Sequence, residues 1–65
     1  MEEMAKLKHL LEHWIEHNDE HEKTYADWAD KALKAGNKEL SEALREIAFQ
    51  TRGMEKLFLK ARKVF

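Results

Sequence analysis

The stretch that decides the fold is Ala29–Leu44, ADKALKAGNKELSEAL. A helical apolar pattern runs into it and another runs out, and between them stand Gly36 and Asn37. Glycine has no β-carbon and takes the left-handed conformation that ends helices, while asparagine caps the helix that follows. Two such residues between two amphipathic patterns predict a tight αα-hairpin turn. The expected fold is all-α: an antiparallel helical hairpin over 1–65, with one helix over about 3–35, a turn at 36–38 and a second helix over about 39–63.

Toward the amino terminus, Met4, Leu7, Leu11, Trp14, Asn18, His21, Tyr25, Trp28, Ala32 and Ala35 follow steps of three and four. That is a heptad seam, the mark of a helix that packs lengthwise on another. Leu10, Ile15, Ala29 and Leu33 widen the stripe, which suits a bundle better than a bare two-stranded coil. Toward the carboxyl terminus, Leu40, Leu44, Ile47, Thr51, Met54, Phe58, Ala61 and Phe65 repeat the pattern.

Equal rise in both rods pairs residues whose numbers sum to about 73. In that register Trp28 is expected to face Leu44, Tyr25 to lie near Ile47, and Trp14 near Phe58. The polar interruptions Asn18, His21, Gln50 and Thr51 fall at one depth, and so does Gly53. Glycine within a helix costs about 1 kcal/mol relative to alanine, so its position predicts a group there that needs room.

Composition bounds the chemistry. A chain of 65 residues buries little surface and usually needs a metal, a disulfide or a partner chain. There is no cysteine, which leaves imidazole and carboxylate as the metal ligands. With 12 basic and 13 acidic side chains well mixed and a net charge of −1, nothing draws the chain to nucleic acid or an anionic membrane. Lys60, Arg62 and Lys63 complement the negative end of a helix dipole. No apolar run approaches a membrane span or a signal-peptide core, so a cytoplasmic location is expected. Leu10, Ile15, Phe49 and Leu59 fall outside the hairpin's own seam, which points to a homodimer. Its two arrangements, an antiparallel four-helix bundle or a shared core of first helices, both fit the sequence.

All four histidines, His9, His13, His17 and His21, recur every fourth residue in HLLEHWIEHNDEHEKTY, His9–Tyr25. On a helix, residues four apart are about 6 Å and 40° from one another, so the imidazoles form an oblique ladder. Neighbouring rungs can share one ion. Three cannot, because the end Cα atoms of such a set are about 12 Å apart and a histidine reaches an ion only about 6 Å away. Further ligands must come from another helix, a second chain or the interleaved Glu12, Glu16, Asp19 and Glu20. Imidazole and carboxylate suit Ni(II), Zn(II), Co(II) and Cu(II) alike. Read singly, His21 is also compatible with a core histidine bonded to Thr51 or Gln50, Asn18 with a register-setting polar residue, and His9 and His13 with ordinary surface residues. Trp14, Tyr25 and Trp28 read as core side chains, with Trp14 placed to shield a metal site.

Two resemblances follow from these motifs. The run Tyr25–Ala48, YADWADKALKAGNKELSEALREIA, looks like the helix, turn and helix of rubrerythrin and other ferritin-like proteins. The Glu-x-x-His motifs of their di-metal sites are broken here, since Asn18 precedes His21 and the second motif reads Thr51 and Met54. The run His13–His21, HWIEHNDEH, with the downstream YADWADKA, is similar to the amino-terminal core of the CooJ-type nickel chaperones, accessory proteins of carbon monoxide dehydrogenase. They carry HWxxHNxxH on a helix in a dimeric coiled coil. The resemblance implies a non-enzymatic protein that binds Ni(II) through His13, His17 and His21, with His9 as an outlying ligand, and passes it to a nickel enzyme or its maturation factor. The chain departs from that family in adding His9 and in having no histidine-rich carboxyl-terminal tail. The competing expectations are a structural or interaction hairpin without metal, and a ferritin-like di-metal protein.

Overall fold

The computed structural model describes residues 2–64. It is a rod of 53 × 14 × 11 Å made of two antiparallel helices. Helix α1 runs over Glu2–Lys34 and α2 over Lys38–Lys63, within a residue of the expected bounds. Without a proline, neither rod has a reason to kink. Each carries carboxylates in its first turn and cations in its last, Glu2 and Glu3 with Lys31 and Lys34 in α1, and Glu39 with Lys60, Arg62 and Lys63 in α2. These charges oppose the helix macrodipole at both ends.

The turn forms as its residue types dictate. Gly36 takes φ 87°, its N–H donates to the Leu33 carbonyl and that of Asn37 to the Ala32 carbonyl, a Schellman closure. The Asn37 side chain then accepts from the Leu40 N–H at 3.1 Å and caps α2.

From the turn outward, the seam buries Ala29, Ala32 and Ser41 among small side chains, and Leu11 further along. Leu7, Ile15, Tyr25 and Ala26 of α1, with Leu44, Ala48, Phe58 and Leu59 of α2, are half-buried around them. Alanine and serine near the turn let the backbones approach closely, and the bulkier pairs fill the wider gap toward the open end. At mid-height the Asn18 amide donates to the Thr51 carbonyl at 2.8 Å. Three ion pairs also cross, Asp30–Arg45, Glu12–Arg62 and Glu22–Arg52. The residue numbers of these partners sum to values near the expected 73. Exposed pairs like these contribute at most about 1 kcal/mol each and fix alignment more than stability.

The seam departs from its sequence-based expectation in one respect. Trp14 and Trp28, expected against Phe58 and Leu44, are not buried between the rods: they are 43% and 56% exposed. His21 is exposed as well, Ile15 is more enclosed than Trp14, and Ile47, expected beside Tyr25, is also exposed. The apolar stripe of each helix is wider than one helix-to-helix contact. The two rods meet along the edge that carries Ala29, Ala32, Ser41 and Ala48, where approach is closest, and the tryptophan edge is left outside.

Gly53 is also corrected. Nothing lies within 4 Å of where its β-carbon would be, so no group of this chain requires the space. The two glycines therefore respond oppositely to alanine. Gly36→Ala places an L-residue in the left-handed region and is expected to destabilise the hairpin by about 1–2 kcal/mol, whereas Gly53→Ala is expected to stabilise it by about 1 kcal/mol. Thermal unfolding followed by circular dichroism reads both signs.

Candidate metal centre

The histidine ladder lies on the amino-terminal half of α1, where no glycine or proline interrupts the winding and Asn18 pins the rod to α2. Its rings form a file. His13 and His17 meet edge-on with centroids 4.5 Å apart, His17 and His21 follow at 6.2 Å, and His21 stacks on Tyr25 at 5.9 Å with the planes 17° apart. The four histidines are all solvent-exposed, so an ion reaches them without any movement of the helices.

The rungs are not equivalent. The Nε2 atoms of His13 and His17 are 3.0 Å apart and aimed at each other, where one ring nitrogen donates and the other accepts. Two imidazole nitrogens bound side by side to one ion, at about 90° and the ~2.1 Å of an imidazole–metal bond, stand ~3.0 Å apart, against ~3.4 Å for a tetrahedral angle. The pair thus stands at about the separation that one ion requires, but its aim is that of a hydrogen bond: the shared proton must leave and both rings must swing until their lone pairs meet at one point. His21 turns toward Tyr25 instead, and His9 stands one turn before His13, exposed. The geometry brings together two of the four expected ligands. Glu16, one turn before Glu20, and Glu20 itself flank the ladder on the same helix, and Glu12 is engaged by Arg62 at 3.4 Å.

A second group of ligand-type atoms arises only from the folding of α2 against α1. Oxygens of Asp19, Glu22 and Glu55 lie within 4.8 Å of one another, with Glu22 and Glu55 half-buried at the seam. Sequence reasoning singled out Asp19 but neither Glu22 nor Glu55, although their distance from the turn places them at nearby levels. Lys23 at 3.5 Å from Asp19 and Arg52 at 4.0 Å from Glu22 offset part of this charge. The cluster therefore has an electrostatic account without an ion. Among the described residues, no helix is long and apolar enough to cross a membrane.

Comparisons with known proteins add kinship without chemistry. A family profile described as "Domain of unknown function (DUF8180)" matches residues 7–65. An uncharacterized protein of Archaeoglobus fulgidus is 38% identical over 58 residues, covering 89% of this chain and 92% of the relative. No solved structure matches.

Proposed function

The chain belongs to the DUF8180 family, and from its own ligand chemistry we propose that it is a cytoplasmic nickel(II)-binding protein that carries the ion to a nickel enzyme or its maturation factor. The observation that carries this reading is the 3.0 Å separation of the His13 and His17 Nε2 atoms. It puts two imidazole nitrogens within reach of one late transition-metal ion, and imidazole serves Ni(II), Cu(II), Co(II) and Zn(II) alike. The identity of the cargo also draws on the likeness of HWIEHNDEH to the CooJ-type chaperones. No nucleophile with a base and no phosphate loop accompanies the site in the sequence, which favours carriage over chemistry.

His13 and His17 supply the first two ligands. His21 joins after its ring leaves Tyr25, in a shell shared with water, a carboxylate or a second copy of the chain. His9 lies at the outer end of the ladder and serves as a loading rung. A site completed by exchangeable ligands suits a carrier, because a recipient can replace them one at a time. A structural role without metal remains the second reading for His21 alone, whose ring is stacked on Tyr25.

Calorimetric titration of the intact chain with Ni(II) and with Zn(II) tests the proposal. Nickel is expected to bind at micromolar concentration or tighter, and more tightly than zinc. Binding must also weaken as the solution is acidified through the range in which imidazole takes up its proton, because a protonated ring has no lone pair to give. Affinity that is weak for both ions and indifferent to pH would remove the reading.

A further inference from the structure

The tryptophan edge left outside the hairpin has a pattern of its own. Trp14, His21 and Trp28 recur every seventh residue on α1, and Leu40, Ile47 and Met54 do the same on α2. All six are exposed, and none carries a carboxylate, an ammonium or a guanidinium group. A seven-residue repeat keeps a stripe straight along rods that wind gently round one another, so the two rows run side by side down the same face. The face also borders the α1–α2 seam, since Leu11, Tyr25, Leu44 and Phe58, three or four residues from Trp14, Trp28, Ile47 and Met54 on their own helices, are buried or half-buried there.

The surface area points the same way. The chain exposes 5567 Å², whereas a compact monomer of its mass exposes about 4,400 Å². The excess of roughly 1,200 Å² matches what one member of an obligate pair buries, given totals of about 2,000–5,000 Å² for such interfaces.

We propose that this face, centred on Trp28 and Ile47 and running from Trp14 to Leu40, is the seat of a second copy of the chain, and that the hairpin is half of a four-helix bundle. The continuity of the face with the seam argues for a like partner. A second hairpin presents the same heptad rows and would close both seams at once, making one core where each monomer has only an open trough. Phe49, also exposed, lies across α2 from this face beside Arg52 and Lys56 and belongs to a different surface. The proposal rests on the reading above insofar as that reading calls on a second copy for ligands, but the apolar face needs no metal to act.

Sedimentation equilibrium in the presence of a chelator, on the full chain at micromolar concentrations, tests it. The wild-type chain is expected to have twice its sequence mass. The variant Trp28→Glu, Ile47→Glu is expected to sediment as a monomer, and Phe49→Glu to keep the dimer. A helical wild-type monomer at every concentration, or equal dissociation in the Phe49→Glu control, would overturn the assignment. Should the double variant unfold, the wild-type melting temperature decides: it rises with protein concentration for a dimer and is independent of it for a monomer. A dimer that takes up no nickel would end the metal reading alone, and a monomer that binds nickel would end this one alone.

Discussion

Replacing His13 and His17 together by alanine is expected to weaken nickel binding by a factor of at least about a hundred. The loss of even the outer partners of a metal ligand costs ten- to a hundredfold, and here both nitrogens of the most closely spaced pair disappear. His21→Ala is expected to cost less, about tenfold, because its ring must first leave Tyr25 to take part. His9→Ala should leave affinity near the wild-type value and alter only the rate of loading. Calorimetry gives the affinities and stopped-flow mixing the rates. A ladder whose four rungs contribute equally would sink the paired-site picture. The helix should survive all four substitutions, since alanine winds at least as readily as histidine, so circular dichroism provides the control.

Enlarging Ala29 is expected to have the largest effect on stability. Its side chain is fully enclosed where the two rods come closest, with Ala32 and Ser41 also buried there. Ala29→Leu adds three heavy atoms to a contact that has no room for them, at a cost of about 1–3 kcal/mol. A domain this small holds only about 3–5 kcal/mol in total. The variant should therefore keep only about 0–4 kcal/mol, with the midpoint of urea unfolding moved toward zero. Leucine at the exposed neighbour Asp30 should be far milder. Equal effects at both positions would mean that the alanine edge is not where the helices meet.

Much of the fold could be read from residues with only one sensible use. Gly36 followed by Asn37 fixed the turn, and equal rise fixed the register that Asp30–Arg45 and Glu12–Arg62 display. The orientation of the rods about their own axes was less legible. Steps of three and four define a stripe but not which edge of a broad one meets the partner helix. Bulk suggested the tryptophans, while closeness of approach selected the alanines. At the site, the spacing of four announced the ladder, yet the preference for His13 and His17 over His21 depends on Tyr25 drawing the third ring away. The acidic group was hidden because Glu22 and Glu55 are 33 positions apart in the sequence and meet only across the closed hairpin.

The placing of His13 and His17 one turn apart on a single rod also bears on how cargo is given up. A pair contributed by two helices would tie its release to the packing of one rod on the other. This pair parts when one exposed side chain turns about its Cα–Cβ bond, which leaves the helix and the seam with α2 intact. A recipient that draws one imidazole aside could unload the ion while the Gly36 turn, the alanine contact and the Asn18 tether stay closed, so the same molecule would be ready for its next cycle without refolding.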